Sequence, residues 1–477
     1  MRTGFSVETV RAAERALMAE LPEGALMQRA AAGLAAACAG LLGRVYGARV
    51  ALLVGSGDNG GDALYAGARL ARRGAGVTAV LLAPERTHTG GLRALRAAGG
   101  RAVEASAGVP AVERADLVVD GIVGIGGTGG LRPEALPLVH AAEGALVVAV
   151  DLPSGVDADT GEVRGDAVRA DATATFGAYK PGLLIDPARE HAGAPHLVDI
   201  GLALPAAPDV EALQHADVAR LLPRPAAESD KYRRGVVGVV AGSARYPGAA
   251  VMAVAGALYG GAGAVRYAGP AADAVIARFP ETLVTAGPPA AAGRVQSWVV
   301  GPGLGDDPQG RQALADVLAS DVPVLADADA LRLLSPEALY DRRAETVLTP
   351  HAGEAAALLG LSREEVESSR LASARALASR YGVTALLKGS TTLVAPPAGG
   401  PVRVNPTGTG WLATAGSGDV LSGLAGALLA AGLRGVDAAS VAAYLHGLSA
   451  RALGAAPLTA MEVAGGLRGV WRDVSIG

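Results

Sequence analysis

Short unbroken runs of apolar residues alternate with longer helical patterns along most of this chain. A strand that is apolar on both faces has to be covered on both faces, which is typical of parallel sheets in α/β proteins. The pattern therefore predicts two mostly parallel α/β halves, with three long helices at the end of the chain. Helices are predicted early in the chain at residues 7–20, 25–42 and 62–73. The predicted strands lie at residues 49–54, 77–82, 116–120, 145–151 and 172–176 in the first half, and at residues 236–241, 264–268, 297–300, 323–326, 346–349, 385–387 and 392–395 in the second.

A change of composition separates the two halves. Residues 201–229 are punctuated by Pro205, Pro208, Pro223 and Pro225, and we interpret them as a linker with a short helix near residues 210–222. The full length of 477 residues is typical of two or three domains. We therefore predict a first domain at residues 1–215 and a second at residues 216–477.

Composition excludes several classes of protein. Half of the residues are hydrophobic and the net charge is −4, which argues against a general binder of nucleic acids or membrane surfaces. Cys38 is the single cysteine, so an intrachain disulfide and a thiolate metal cluster are both excluded. The first twenty residues carry charges throughout and lack the apolar segment of a secretion signal. We expect a cytoplasmic protein.

Three predicted strands of the first half end in polar or glycine-rich segments. The loop VGSGDNGGD (residues 54–62) follows one strand, and Asp120 and Asp151 end two others. Because the carboxyl ends of parallel strands form the ligand crevice of such sheets, we expect these segments to meet. Oxygen donors from Asn59, Asp120 and Ser154 suit a hard cation, and a single carboxylate favours a monovalent one. The alternative is that Asp120 and Asp151 simply cap helices or turns.

The segment AGSGDVLSG (residues 415–423) is the most informative part of the second half. Its glycines lead into an apolar helix, whose backbone amides and partial positive charge favour an anion such as phosphate. A carboxylate, Asp419, lies in the first turn and would repel that anion. Its presence is explained if it takes a proton from a hydroxyl that is about to receive a phosphoryl group.

Four further clusters fall where strands of the second half are predicted to end. Lys388 is one of only three lysines among the 42 lysines and arginines, and with Thr391 and Thr392 it can hold phosphate oxygens. His351 can be structural or bind a ligand, and Glu354 can cap the helix that follows it. Asp327 and Asp329 can be helix caps or contact magnesium or substrate. The clusters are AGSARYPGAA (residues 241–250), GPGLG (residues 301–305), TPHAGE (residues 349–354) and LKGSTT (residues 387–392).

Together, these motifs resemble the bifunctional family that joins an NAD(P)HX epimerase to an ADP-dependent NAD(P)HX dehydratase and repairs hydrated nicotinamide nucleotides. The N-terminal part resembles the epimerase domain, which carries an N-[N/x]-G-G-D loop and a D-[IL]-P-S-G strand end. Residues 231–477 resemble the dehydratase domain through GPGLG, T-P-H-x-G-E, K-G-x-x-T and G-[ST]-G-D-V-L. The resemblance covers nearly the whole chain, and it implies a Rossmann-like, doubly wound first domain and a ribokinase-like α/β second domain.

The resemblance also implies roles for individual residues. Asp419 would be the catalytic base of the dehydratase and Asp151 an acid/base group of the epimerase, while Asn59, Asp120 and Ser154 would bind K⁺. Mg²⁺ would serve the dehydratase, where ADP would be converted to AMP and phosphate. The epimerase would bind its substrate through Asp58, Asn59, Gly60, Gly61, Asp62, Gly124, Ile125, Gly126, Gly127, Thr128, Gly129, Gly130 and Asp151. The dehydratase would bind substrate through Ala249, Gly303, His351 and Asp419, and the nucleotide through Lys388, Gly389, Ser390, Thr391, Thr392 and Gly418.

Two other interpretations remain at this point. The chain could be an ordinary ribokinase-like kinase fused to a nucleotide-binding domain, or its first half could be a nucleotide sensor without activity. The family often has Asn where this chain has Asp58, so that carboxylate would have to point away from a phosphate-bearing ligand. The expected partners are small-molecule nucleotides, without nucleic acid or membrane, and we expect a homo-oligomer.

Overall fold

A computed structural model describes residues 1–127 and 129–476. It divides the chain into two compact units, Thr3–Asp209 and Val210–Gly477, the second of which also includes Met1–Arg2. The boundary between the two units lies between Asp209 and Val210, slightly before the domain boundary predicted at residue 215. Each has its own sheet and hydrophobic core.

The N-terminal unit alternates strands and helices. The chain opens with the short strand β1 (Arg2–Gly4), which is an edge strand of the sheet of the other unit. The strands of the N-terminal sheet are β2 (Arg49–Val54), β3 (Gly76–Leu81), β4 (Arg101–Glu104), β5 (Leu117–Gly121), β6 (Leu146–Val150), β7 (Ala172–Phe176) and β8 (Ala194–Val198). The helices are α1 (Val7–Met18), α2 (Ala25–Leu42), α3 (Asp58–Arg72), α4 (Thr89–Ala97), α5 (Val109–Glu113), α6 (Leu136–Ala141) and α7 (Arg189–Ala192).

The seven strands of this sheet are parallel, in the order β4-β3-β2-β5-β6-β7-β8. This is the doubly wound, Rossmann-like arrangement, in which the strand order reverses between β2 and β5. Alternate residues of β2 enter different cores. Val50, Leu52 and Val54 pack with α2 and α3, whereas Ala51 and Leu53 pack with residues of α5 and α6. Burial on both faces explains why the strand is apolar throughout.

The C-terminal unit has a larger sheet and most of the long helices. Its further strands are β9 (Val210–Ala212), β10 (Val236–Val240), β11 (Ala264–Ala268), β12 (Leu283–Thr285), β13 (Ser297–Val300), β14 (Val324–Ala326), β15 (Thr346–Leu348), β16 (Thr384–Leu387), β17 (Thr392–Ala395) and β18 (Val402–Asn405). Its helices are α8 (His215–Leu221), α9 (Lys231–Arg234), α10 (Pro247–Tyr259), α11 (Ala272–Arg278), α12 (Pro308–Leu318), α13 (Asp329–Leu333), α14 (Ala352–Leu359), α15 (Arg363–Ser368), α16 (Arg370–Tyr381), α17 (Ser417–Ala430), α18 (Gly435–Ala452) and α19 (Ala460–Ile476).

The sheet of this unit has eleven strands in the order β1-β9-β18-β17-β16-β15-β14-β13-β10-β11-β12. Neighbours from β16 to β12 are parallel, whereas β17 is antiparallel to both β16 and β18. Helices α10, α17, α18 and α19 cover one face through a large alanine-rich core. The carboxyl ends of five parallel strands (β10, β13, β14, β15 and β16) therefore lie along one edge, where the predicted motifs follow them.

Two predicted elements differ from the structure. The helix expected from residue 62 begins at Asp58 instead, so Gly60 and Gly61 lie in its first turns and not in a loop. The segment predicted as a helix near residues 210–222 begins as strand β9, and helix α8 follows only after a capping box at Gln214. Strand β9 pairs with β18, and an ion pair of 2.7 Å between Glu211 and Arg403 links the two strands.

Among the described residues, one helix, α2, is long and apolar enough to cross a membrane by length and composition alone. The same composition is found in core helices of globular proteins. Ala31, Leu34 and Cys38 of this helix are fully buried in the core of the N-terminal unit.

Candidate active sites

In the N-terminal unit, the loops after β2 and β5 touch each other where the strand order reverses. A Cβ atom on Gly55 would overlap the carbonyl oxygen of Ile122, and one on Gly124 would overlap the side chain of Asn59. Only glycine permits this approach. In open parallel sheets the switch point is where ligands bind, so the two glycine-rich loops border a candidate ligand crevice.

The first turns of helix α3 border this crevice. Asp58 is exposed, whereas Asn59 donates a 2.6 Å hydrogen bond from Nδ2 to the carbonyl oxygen of Val150, at the end of β6. Asp62 follows one turn later and is buried. Burial, reinforced by the nearby carboxylates of Asp151 and Asp58, raises the pKa of Asp62 well above its usual value.

The three predicted cation ligands lie around one short loop. Asp120 is fully buried and accepts hydrogen bonds of 2.7 Å from both the amide and the hydroxyl of Ser154. The Ser154 hydroxyl in turn accepts from the amide of Val123, next to the residue that touches Asn59. Burial raises the pKa of Asp120 to about 6, although the Ser154 hydrogen bonds oppose this shift.

Asp151 has an unusual backbone and a charged partner. Its φ of 65° lies in the left-handed region, which few residues other than glycine adopt. Its Oδ1 accepts hydrogen bonds from Lys180 Nζ and, at 3.1 Å each, from the Thr175 hydroxyl and the Phe176 amide. Lys180 is 1% exposed, so this is a fully buried ion pair.

The remaining predicted epimerase residues follow β5. Gly126 lies against the guanidinium of Arg11, and Gly127 donates a hydrogen bond to the carbonyl of Gly124. Ile125 packs against a small apolar cluster that includes Phe5. Gly129 adopts a positive φ and Gly130 lies against the backbone of residue 164. Thr128 lies outside the described residues.

In the C-terminal unit, Asp419 lies in the first turn of α17. Gly416, which precedes this helix, has a φ of 86°. A Cβ atom placed on Gly418 would lie 3.4 Å from Lys388 Nζ. Burial and the Asp327 carboxylate raise the pKa of Asp419 to about 7, against the opposing effect of Lys388. A carboxylate with this pKa can accept a proton at neutral pH and release it again.

Lys388 is the cation at the centre of this site. Its Nζ lies 2.7 Å from Asp327 Oδ1 and 3.7 Å from Glu354 Oε2. Asp327 is 1% exposed, and its Oδ2 accepts a 2.7 Å hydrogen bond from the Ser422 hydroxyl of α17. Burial lowers the pKa of Lys388, but the Asp327 and Glu354 carboxylates outweigh this effect and raise it. The lysine therefore stays charged beside Asp419.

The structure gives the contacts of Glu354, His351 and Asp329. Glu354 accepts from the amide of His351, and His351 Nδ1 accepts from the amides of Gly353 and Glu354, so the pair forms a capping box on α14. The His351 ring is 60% exposed. Asp329 starts α13 and accepts a 2.9 Å hydrogen bond from the amide of Gly305 in the GPGLG loop.

Other predicted dehydratase residues border the same strand ends. Gly303 has a φ of 60°, and a Cβ there would lie 2.8 Å from that of Ala249, so the GPGLG loop and the start of α10 are in contact. In the LKGSTT turn, Gly389 and Ser390 are exposed, whereas Thr391 and Thr392 are buried. The exposed pair is the part of this turn that a ligand can reach directly.

Comparison with known proteins identifies both units. Residues 237–464 match the NAD(P)H-hydrate dehydratase family, and residues 23–182 match the family described as YjeF-related protein N-terminus. The bifunctional NAD(P)H-hydrate repair enzyme Nnr of Mycobacterium leprae is 51% identical over 96% of this chain and 95% of its own length. The chain belongs to the family of bifunctional NAD(P)H-hydrate repair enzymes. The Escherichia coli member is 38% identical over 85% of this chain and 80% of its own length.

Solved structures agree on the fold of the C-terminal unit. An ADP/ATP-dependent NAD(P)H-hydrate dehydratase from Bacillus subtilis, co-crystallised with ATP and Mg²⁺, is 30% identical. It covers 56% of this chain and 99% of its own, with a TM-score of 0.52. A ribokinase-like superfamily protein from Enterococcus faecalis is 23% identical, with a TM-score of 0.52 over 56% of this chain and 98% of its own, which shows a ribokinase-like fold.

Three residues of this repair-enzyme chain were not assigned to a site from the sequence. Lys180 is another of the three lysines of the chain, and its pairing with Asp151 depends on the fold. Glu14 of α1 interacts electrostatically with Lys180 and Asp151, and no motif marks it. Arg370 is buried and donates to the carbonyl oxygens of Lys388 (3.1 Å) and Thr391 (2.9 Å), so it holds the LKGSTT turn in shape.

Proposed function

We propose that this protein repairs hydrated NADH and NADPH. Its N-terminal unit interconverts the R and S forms, and its C-terminal unit dehydrates the S form while ADP is converted to AMP and phosphate. The observation that carries the second activity is Asp419, a carboxyl group with a pKa of about 7 in the first turn of α17, beside Lys388. We assign the nucleotide site to Lys388, Gly389, Ser390, Thr391, Thr392 and Gly418.

The chemistry follows from the leaving group. Hydration leaves a hydroxyl on C6 of the nicotinamide ring, and hydroxide departs poorly. Asp419 accepts the hydroxyl proton while the oxygen attacks the terminal phosphorus of ADP. The backbone amides of residues 416–418, at the positive end of α17, stabilise the charge on the transferring group. Phosphate then leaves C6 with the electron pair of the C6–O bond. A proton passes from C5 to solvent, and the C5–H electron pair forms the C5=C6 double bond of the dihydronicotinamide. Ala249, Gly303 and His351 border the space assigned to the ring.

The residues present fit Mg²⁺ as the companion of the adenine nucleotide. Within the described residues, no group of three or more acidic, His or Cys side chains is arranged to hold a metal by itself. Mg²⁺ usually binds one or two carboxylates together with substrate phosphates. Asp329 and Glu354, whose charges both act on Asp419, supply carboxylates of that kind. Bound Mg²⁺ would neutralise phosphate charge during transfer.

The residues around Asp120 fit K⁺ in the epimerase. Asp120 is fully buried, and no cationic side chain contributes to its pKa shift within the described structure. One carboxylate with the oxygens of Asn59 and Ser154 matches a monovalent cation in charge and ligand type. K⁺ would offset the buried charge and hold the loop between Asp120 and Gly124 against α3.

We expect K⁺ to stabilise the N-terminal unit. In scanning calorimetry, replacing tetramethylammonium by K⁺ at equal ionic strength raises the midpoint temperature of unfolding of this unit. A ligand at a hundred times its dissociation constant adds about 2.7 kcal/mol to the free energy of unfolding. The increment disappears as the pH falls through about 6, where Asp120 takes up a proton. Asp120→Asn removes the increment and the exposed control Asp116→Asn keeps it. An increment unchanged in Asp120→Asn would reject this site.

A single assay tests both activities. The protein is incubated with a mixture of hydrated NADH epimers, ADP and Mg²⁺, and the NADH absorbance is followed together with phosphate release. We expect complete conversion of both epimers and one phosphate for each NADH. Conversion of only the S form would remove the epimerase from the proposal. A stable phosphorylated product without released phosphate would instead favour the ordinary kinase.

The proposed partners are the hydrated nucleotides and ADP, in the cytoplasm, with a second copy of the chain in a homo-oligomer. Light scattering on the purified protein measures the last of these directly. A mass equal to the 47.2 kDa chain would reject the homo-oligomer.

A further inference from the structure

We infer that Asp62 and Asp151 form a proton donor and a proton acceptor for the epimerisation, and that the buried Lys180 is a positioning residue that holds Asp151 through an ion pair. This inference rests on the epimerase activity proposed for the N-terminal unit. It assigns separate tasks to two carboxyl groups of one crevice and adds a residue to the site.

Asp151 is held by a buried ammonium, a hydroxyl and a backbone amide, all on one carboxylate oxygen. Lys180 Nζ donates to its Oδ1 and also, at 3.1 Å each, to the Thr175 hydroxyl and the Phe176 carbonyl oxygen. All three donors of the ammonium are thus used inside the protein, so Lys180 acts on substrate only through Asp151. Within the described residues, the hydrogen bonds of the Asp151 carboxylate are all made by Oδ1, which leaves Oδ2 available to a ligand.

Asp62 lies in surroundings that favour its neutral form. It is only 6% exposed, and its Oδ1 has no hydrogen-bond partner in the described part of the chain. It lies one helical turn after Asn59, whose bond to Val150 holds this face of α3 against the end of β6, next to Asp151. Burial, followed by the charges of Asp151, Asp58 and Glu14, raises its pKa well above the usual value. Neighbouring carboxyl groups in environments that differ in this way, one paired with a cation and one buried without a cation in the described structure, are the usual arrangement of an acid and a base.

The pair can exchange the C6 hydroxyl between the two faces of the ring. Asp62 gives its proton to the hydroxyl oxygen, and the C6–O bond breaks with its electron pair on the departing water. The lone pair of ring nitrogen N1 forms a C6=N1 double bond. Water on the opposite face then bonds to C6, its proton passes to Asp151, and the double-bond pair returns to N1. One water leaves and one enters, without oxidation, and solvent returns the proton from Asp151 to Asp62.

The acidity of the crevice suits this route. The C6=N1 intermediate is a cation, and opposite charges attract strongly in a partly buried site. The charged and titratable groups around Asp151 are Glu14 of α1, Asp58 and Asp62 of α3, Lys180 after β7, and Arg11, which acts on Glu14. Carboxylates beside a ligand that carries phosphates are otherwise unfavourable, so the ring is the part of the substrate that this end of the crevice fits.

The test uses the full-length chain and chromatographic separation of the R and S forms. Asp62→Asn and Asp151→Asn each lower the rate of interconversion by about 10²–10⁴-fold, the range of general acid–base catalysis. Asp116→Asn, at the opposite end of the sheet, retains the wild-type rate. Interconversion by Asp62→Asn within threefold of wild type overturns the donor role. Absence of interconversion in the wild-type protein overturns the epimerase assignment itself and the pair with it.

Two measurements distinguish the proposed roles in catalysis from purely structural ones. In Lys180→Met, the acidic side of the pH–rate profile moves to higher pH, because the charged form of Asp151 has lost its cation. A uniform loss at every pH would indicate a purely structural role and overturn the positioning assignment. In H₂¹⁸O, each inversion at C6 is accompanied by uptake of one label. Inversion without label would overturn C–O cleavage by this pair.

Discussion

Asp419→Asn is expected to lower the rate of ADP-dependent dehydration by about 10²–10⁴-fold, the contribution typical of a general base. Asparagine keeps the size of the side chain at the start of α17 but cannot take the hydroxyl proton. In the wild-type protein the rate should rise with pH through about 7, because burial and the Asp327 carboxylate raise the pKa of Asp419 to about 7 and only the ionised form is a base. The measurement is the initial rate of NADH formation from the pure S form between pH 5 and 9.

The N-terminal unit supplies the internal control for this variant. Interconversion of the R and S forms by the same preparation should remain at the wild-type rate, since its proposed residues belong to the other sheet. Dehydration that persists at the wild-type rate in Asp419→Asn would remove this carboxylate from the mechanism.

Lys388→Met is expected to lower the free energy of unfolding of the C-terminal unit by about 3–5 kcal/mol, as well as abolishing dehydration. The change leaves Asp327, which is 1% exposed, without its cation, and breaking one side of a buried ion pair has costs of this size. It also removes the positive charge that opposes the raised pKa of Asp419, so any residual activity requires a higher pH. Because Trp298, Trp411 and Trp471 are the only tryptophans, urea unfolding followed by their fluorescence reports on this unit alone.

Two further variants test whether the lost stability of Lys388→Met comes from the unpaired buried charge of Asp327. Lys231→Met removes an exposed lysine of the same unit and should leave stability and activity nearly unchanged. In Lys388→Met with Asp327→Asn, the buried charge is absent and Ser422 can still donate to the amide oxygen, so stability should recover while activity does not. Equal stability of Lys388→Met and Lys231→Met would contradict the buried ion pair.

The fold was predictable where the signal is local and strong. The strands Ala172–Phe176, Ala264–Ala268, Ser297–Val300 and Thr392–Ala395 begin and end as predicted. All of them except Ala264–Ala268, which contains the half-buried Arg266, are buried at every position. Short strands with exposed residues escaped prediction, as in Ala194–Val198 and Leu283–Thr285. Their stability comes from pairing with a neighbouring strand, which leaves little trace in the sequence.

The candidate sites were predictable only in part for a related reason. Glycine-rich segments at strand ends mark where a parallel sheet can bind a ligand, and they indicated both crevices. The sequence did not indicate the partners of each charge. Lys388 was expected to hold phosphate, yet its closest contact is Asp327, 61 residues earlier.

By itself, the sequence determined most of the buried strands and the long helices, the order of the motifs and the family. These follow from local apolar pattern and from residue types at fixed spacing. Only the tertiary structure decided that Lys180 pairs with Asp151 and that His351 and Glu354 cap a helix. It also decided that Oδ1 of the buried Asp62 has no hydrogen-bond partner among the described residues. The state of an ionisable group depends on its solvent exposure and on charges a few ångströms away. Those neighbours come from distant parts of the chain, and the packing of strands and helices selects them.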